Sequence, residues 1–259
     1  MDLIVETPRL AGPGETAEGT RFYTTPGGKG GNQAVAAARI AESPGSVKMV
    51  GRVGDDAFGE QMGKFLKEEG VDISLLRETV GIASGIAAIF ILTDGENHVN
   101  PVYGANSLCD RQQSSDVTGA LSTTGVLLCQ QEIPLYATKA AIDAAAKVGV
   151  VVVLDPAPVR EVPDRFYDSV TVLTPNQGEA STMSGIEVTD AVSARSAASA
   201  IRNLGTETVI VTLGDQGAWI ESYGISELLD PFDVPVVASV AAGDAFNGGL
   251  GVGIASGMD

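Results

Sequence analysis

The chain has little of the residues on which several kinds of chemistry depend. Among its 259 residues are one histidine, His98, two cysteines, Cys109 and Cys129, and one tryptophan. A single histidine excludes a His-rich metal site and nearly excludes a His-based triad, and no Gly-x-Ser-x-Gly elbow occurs to support the latter. The two cysteines make neither a disulfide scaffold nor a zinc-ligand spacing, so a reducing cytoplasm is the expected setting. No apolar run approaches the roughly 20 residues of a membrane span, and the first residues do not read as a signal peptide. Cations are scarce as well. The 16 Lys and Arg against 33 Asp and Glu leave a formal charge of −17, which opposes nucleic acid or an anionic membrane as partner. Such a chain handles anions through a few placed cations or through backbone amides. With 44% hydrophobic residues, its length and composition point to a single α/β domain over residues 1–259.

Glycine is abundant, and two glycine-containing stretches stand out. In the first, Val240-Ala241-Ala242-Gly243-Asp244-Ala245-Phe246-Asn247-Gly248-Gly249, a helix is predicted from Ala242. Ala242, Ala245, Phe246, Gly249, Leu250, Gly253 and Ile254 recur at helical steps and should form a buried face. The amides of Ala241, Ala242 and Gly243 carry nothing larger than a methyl beside them, which makes the helix start an anion site. Asp244 lies in the same turn. It reads either as a proton acceptor for phosphoryl transfer to a hydroxyl or as a plain cap of a buried helix. The second stretch, Pro26-Gly27-Gly28-Lys29-Gly30-Gly31-Asn32-Gln33, leads into an Ala-rich helix, Ala34 to Ala41. Lys29 and Asn32 are donors at its entry, and the glycines admit a ligand or simply make a tight turn. Its spacing is neither that of a P-loop nor that of a dinucleotide fingerprint.

The remaining elements follow from pattern. Leu3 to Val5 and Thr20 to Thr25 read as strands, with Asp2 just before the first and without an evident structural duty. After the strand Val47 to Val50, Asp55-Asp56 caps a helix from Ala57 to Glu69 that turns Phe58, Met62, Phe65 and Leu66 inward. Gly85 to Leu92 and His98 to Tyr103 form a hairpin, which with the N-terminal strands makes a small separate sheet; His98 reads as a surface residue there. From residue 126 strands and helices alternate, at Val126–Cys129, Pro134–Lys147, Val150–Leu154, Ser169–Thr174, Gly178–Ser184, Ala191–Leu204 and Thr208–Leu213. Alternation of this kind implies a parallel sheet covered on both faces. Ligands then gather at the strands' carboxyl ends, where Glu132, Asn176, Glu179 and the turn Thr212 to Gly217 lie. That turn admits a nucleotide or serves only as a hairpin into Ala218-Trp219-Ile220.

Gly27 to Ala34, Val50 to Gly59 and Ala241 to Phe246, in this order, resemble the signatures of the PfkB carbohydrate kinases, with Lys29 and Asn32 resembling the ribokinase-like branch. The resemblance spans essentially the whole chain. It implies an α/β, ribokinase-like three-layer sandwich with a central mostly parallel sheet and a small β-sheet lid, formed by residues 3–25 and 82–106. It also implies transfer of the γ-phosphoryl group of Mg-ATP to a pentose such as ribose, with Asp244 as general base and the amides of Ala241, Ala242 and Gly243 holding the developing charge. Asp2, Gly28, Lys29, Asn32 and Glu132 would hold the sugar; Asn176, Thr212, Gly214 and Gly217 the nucleotide. Glu179, with Asn176, would order a hydrated magnesium ion. A monovalent cation, potassium, would lie near Ser239, and a homodimer would form through the lid. Another sugar or nucleoside kinase, or a non-catalytic sugar-binding or dimerising variant, are the alternatives.

Three departures from that pattern generate expectations. No strand precedes Met1, the chain stops at Asp259 shortly after the last helix, and Ala238 stands where the family carries an aspartate for potassium. The expected consequences are a sheet edge that is unstable or recruits another chain, ribose binding that persists, weak ATP binding and little potassium stimulation.

Overall fold

The computed structural model describes residues 1–236 and 239–258. Its central sheet has six strands in the order β12-β11-β10-β9-β8-β7. These are β7 (Val126–Cys129), β8 (Val151–Leu154), β9 (Val172–Leu173), β10 (Thr208–Thr212), β11 (Ala218–Ser222) and β12 (Ile225–Leu229). The first four are parallel, and β11 and β12 close the sheet as an antiparallel meander. Strand pleating sorts the core: Val152, Leu154, Val209 and Val211 face one side, Val153 and Ile210 the other. The first side lies under α3 (Arg111–Ala120), α4 (Leu135–Lys147), α5 (Gln177–Ser184) and α6 (Ala191–Arg202). The second lies under α7 (Ala242–Ala255), which leans Phe246, Leu250 and Ile254 on it. Three layers result.

A second sheet has the order β2-β1-β5-β6, built from β1 (Asp2–Thr7), β2 (Arg21–Thr25), β5 (Ile86–Leu92) and β6 (Asn97–Val102). Here the expected hairpin appears as β5–β6, and β1 joins it in parallel with β5. This is the lid sheet that the pattern anticipates. Between its two halves the chain makes α1 (Lys29–Ile40), β3 (Lys48–Gly54), α2 (Ala57–Glu68) and β4 (Asp72–Thr79). Asp56 caps α2 as expected, accepting from the Gly59 amide at 2.8 Å. Among the described residues β3 and β4 pair in parallel with each other alone.

Two readings of the pattern need correction. Helix α1 begins at Lys29 rather than Ala34, because the glycine segment itself winds up, the Asn32 amide donating to the Gly28 carbonyl at 2.9 Å. The buried stripe of α7 is Asp244, Asn247, Gly248 and Gly251, while Ala242 and Ala245 are exposed. Small size, not apolarity, selects this stripe. A β-carbon on Gly248 would sit 2.7 Å from the Ala36 methyl and 2.9 Å from the Ala37 nitrogen of α1, and Gly251 faces Leu128 of β7. The apolar run from Val234 is exposed and irregular as far as Val236; Val237 and Ala238 lie outside the described residues.

The contact of α1 with α7 makes a prediction. Gly248→Ala forces two backbones apart and lowers unfolding free energy by about 1–3 kcal/mol. Gly249→Ala meets nothing within 4 Å and leaves stability unchanged or raises it by about 0.5–1 kcal/mol. Urea unfolding of both variants separates the cases, and equal effects would show that the helices are not in close contact.

Candidate active site

The site gathers where β1, α1, β7, β8 and α7 converge at the carboxyl ends of the parallel strands. Asp2 opens β1 and its carboxylate occupies the space beside Gly27, where any β-carbon would stand 2.2 Å from an Asp2 oxygen. Gly28 follows with φ of 90°, a left-handed setting that glycine adopts without strain. That turn aims the Lys29 amide at Glu132 Oε2, 3.0 Å away. Burial, more than anything else, raises the Asp2 carboxyl above the usual range; the Met1 ammonium opposes this and Asp244 adds to it. Glu132 is raised by burial too, with Lys29 working against the shift and Asp244 and Asp2 reinforcing it.

Asp244 is the convergence point. It is buried, its Oδ2 accepts from Asn32 Nδ2 at 2.9 Å, and its Oδ1 accepts from Gln33 Nε2 at 3.2 Å. The same Gln33 amide donates to Asp155 Oδ2 at 3.0 Å, and Lys29 Nζ reaches that oxygen at 3.4 Å. Burial pushes Asp155 up to about 7; Lys29 resists the shift, and Glu179 and Asp244 add to it. Burial likewise disfavours the Lys29 ammonium, but Asp155, Asp244 and Glu179 outweigh it and hold Lys29 above the ordinary lysine range. One cation thus serves three carboxylates.

Helix α7 starts from Ala241, whose φ of 60° is left-handed. Of the expected anion-binding amides, that of Ala242 donates to the Ser239 carbonyl at 3.2 Å, so the first turn presents Gly243 and Asp244 as its unengaged amides among the described residues. Asn247 braces the turn: its Nδ2 donates to the Gly243 carbonyl at 2.9 Å, and its Oδ1 accepts from Thr174 Oγ1 at 2.7 Å. A second group lies beyond Thr174. Asn176 and Glu179 form a reciprocal capping box on α5, at 2.9 and 2.8 Å, and Asn176 bridges to Thr212. Gly214 is exposed on its turn. The close approach that Gly217 permits is to the Leu229 carbonyl oxygen, 2.0 Å from where a β-carbon would lie, as the hairpin reading requires. His98 lies on the lid strand β6 with Glu96 at 3.5 Å.

Asp155 and Gln33 are site residues that sequence reasoning passed over. Asp155 follows the strand Val151–Leu154 directly, so the rule that selected Glu132 and Asn176 selects it as well. Gln33 carried no comparable signal. Among the described residues no three His, Cys, Asp or Glu side chains gather as a direct metal cage, and no helix is long and apolar enough to cross a membrane.

A buried carboxylate at a helix start that is open to anions, fed by a lysine and two amide side chains, defines a phosphotransferase with an alcohol group as acceptor. The model for the pfkB family of carbohydrate kinases matches residues 1–259, and the chain belongs to that family. It is 36% identical over 249 residues to the ribokinase of Haemophilus influenzae, covering 96% of this chain and 80% of that one. It is 36% identical over 268 residues to the ribokinase of Schizosaccharomyces pombe, covering 99% and 83%. Among solved structures, Arabidopsis thaliana ribokinase complexed with ribose and ATP superposes with a TM-score of 0.89 at 30% identity, covering all of this chain and 84% of that one.

Asp155 sets a pH dependence. Its carboxyl binds a proton in the native state up to about pH 7, whereas the unfolded carboxyl releases it near the ordinary value of about 4. Between those limits the native state holds the extra proton, so stability falls as pH rises from about 4 to 7, by on the order of 2–4 kcal/mol. Asp155→Asn should flatten that slope. Urea midpoints at pH 4.5, 6 and 7.5 check it, and an unchanged slope would place the titration elsewhere.

Proposed function

We propose that this chain transfers the γ-phosphoryl group of ATP to the 5-hydroxyl of ribose, with Asp244 taking the hydroxyl proton. The observation that carries this reading is the burial of Asp244 between Asn32 and Gln33 at the first turn of α7. There a carboxylate is oriented by donors while its helix amides face outward. The ribokinases among the relatives, and the relative solved with ribose and ATP, support the two substrates.

The sugar lies in a ring of Asp2, Gly28, Lys29, Asn32 and Glu132, in which carboxylates and donors alternate around a small polyol. The lid, residues 3–25 and 82–106, covers this ring. The unengaged amides of the first α7 turn, those of Gly243 and Asp244, hold charge developing on the transferred group, while that of Ala242, expected to share the task, is committed to Ser239. Asn176, Thr212, Gly214 and Gly217 border the nucleotide. The second group of residues fits a hydrated magnesium ion. Glu179 commits one oxygen to the cap of α5, the other has no donor among the described residues and would hold a metal-bound water, and magnesium keeps most of its waters. Bound with ATP, the ion would offset the phosphates' charge. A potassium site near Ser239 is poorly supplied: the Ser239 carbonyl already accepts from Ala242, residues 239–258 contain no carboxylate except Asp244, and position 238 lies outside the described residues. Exposed Phe22, Val99 and Val102 on the lid strands favour a homodimer through that sheet.

Asp244→Asn keeps the shape and removes the base, so turnover should drop at least about a hundredfold with ribose affinity little changed. Coupled ADP release with ribose, fructose and adenosine in parallel measures this, and parental turnover would remove Asp244 from the chemistry. Asp2→Ala and Glu132→Ala should each weaken ribose binding by about 1–3 kcal/mol, since a buried partner is left unpaired. Calorimetry reads the loss; undiminished binding in both would relocate the sugar.

A further inference from the structure

Asn32 and Gln33 follow Lys29 by three and four residues on α1, so one face of that helix presents all three to the site. The two carboxylates they meet are held differently. Asp244 takes one donor on each oxygen, from Asn32 and from Gln33. Asp155 takes both of its side-chain donors on Oδ2, with Gln33 Nε2 at 3.0 Å and Lys29 Nζ at 3.4 Å, while its Oδ1 accepts from no donor among the described residues. Gln33 keeps its amide in one orientation, because Gln130 Nε2 donates to its Oε1 and a flip would set that oxygen against two carboxylates. Its two N–H bonds are therefore fully used, one on each acid. Lys29 has donors to spare. Of its three N–H bonds one has a side-chain partner among the described residues, that contact is long, and about a third of the side chain is exposed. The charged groups that bear on Asp155 are Lys29 from α1, Asp244 from α7 and Glu179 from α5.

We propose that Asp155 is a positioning residue for Lys29, one whose proton decides whether the lysine's charge stays on Asp155 or turns to an anion held at the start of α7. The inference rests on phosphoryl transfer at that helix start and adds a control to it. Ionised, Asp155 holds the Lys29 ammonium in an ion pair and leaves it less attraction for a phosphate. Protonated on the donor-free Oδ1, it still accepts from Gln33 through Oδ2 but offers no countercharge, and Lys29 is released. Proton and anion thus favour each other's binding, as linkage requires. The titration falls in a range where it can operate, since burial pushes the Asp155 carboxyl up to about 7. An anion at the α7 start raises it further. Binding therefore draws a proton from solution at and just above about pH 7, and anion affinity falls as pH rises through that range. Gln33 keeps both bonds in either state, so the orientation of Asp244 is unchanged. The control acts on KM for the anionic substrate rather than on kcat.

Calorimetry of magnesium-loaded ATP, run at about pH 7.5 in two buffers of different ionisation enthalpy, counts the protons taken up on binding. The parent should take up about half a proton per ATP more than Asp155→Asn, a variant whose amide oxygen keeps both donors and whose side chain does not titrate. From about pH 6.5 to 8.5, KM for ATP should rise about tenfold or more in the parent and less than about twofold in the variant, while the pH dependence of kcat is the same in both. A merely structural Asp155 would lower kcat at every pH and leave the KM slope in place. Equal proton uptake by the two proteins, or a KM slope that survives in Asp155→Asn, would overturn the inference and leave the kinase reading intact. Proton uptake lost in the variant, with no turnover of ribose by either protein, would uphold the control and remove ribose as the acceptor. ATP bound by neither protein would overturn both readings.

Discussion

A carboxylate buried in protein must be given donors, and in this chain Asp244 receives them from residues 212 and 211 positions away, Asn32 and Gln33. Much of the architecture serves that meeting. The donors are aimed by α1, which can lie against α7 only because Gly248 presents no side chain to Ala36 and Ala37. The start of α7 is in turn held by Asn247, which ties the Gly243 carbonyl to Thr174 at the end of the parallel sheet. Helix contact and site geometry are therefore one constraint.

The charge distribution explains why so acidic a chain can handle phosphate. Lys29 faces Asp155, Asp244 and Glu179 together, and it has more negative neighbours than it can neutralise. One of them, Asp155, responds by keeping its proton up to about pH 7. Asp2 and Glu132, beside the turn of Gly27 and Gly28, are raised by burial as well. A site in this state attracts cations and hydroxyl donors more readily than free phosphate.

Much of this was legible in the sequence where local chemistry and tertiary structure agree. The alternation after residue 126, the β5–β6 hairpin and the Asp56 cap all follow from short-range pattern. β4 escaped because its partly buried residues are interleaved with charges at Asp72, Arg77 and Glu78, so no clean period appears. α3 escaped because its sequence, Arg-Gln-Gln-Ser-Ser-Asp-Val-Thr-Gly-Ala, is nearly all polar; it is a helix because Asp110 and Gln113 form a capping box and Val117 joins the core. The predicted face of α7 held at Phe246, Leu250 and Ile254, which pack on the sheet, and failed at Ala242 and Ala245, which are exposed. Hydropathy favoured Ala242 and Ala245, but the packing partner is another backbone, which selects for glycine. Gln33 was invisible because its role depends wholly on two carboxylates far away in sequence.

The same contacts bear on how the molecule holds together. Among the described residues the β3–β4 pair shares no ladder with the central sheet, and it is joined to the rest through α1, α3 and the Gly104–Leu108 turn. From β3, Arg52 donates to Gln113 on α3 at 3.0 Å, and from β4, Arg77 makes a two-pronged pair with Asp116 at 2.7 and 2.8 Å. These are partly solvated links of modest strength. The tighter connection is α1 on α7, which also sets the distance from Asn32 and Gln33 to Asp244. A change in the spacing of that helix pair would therefore reach the donors of Asp244 directly.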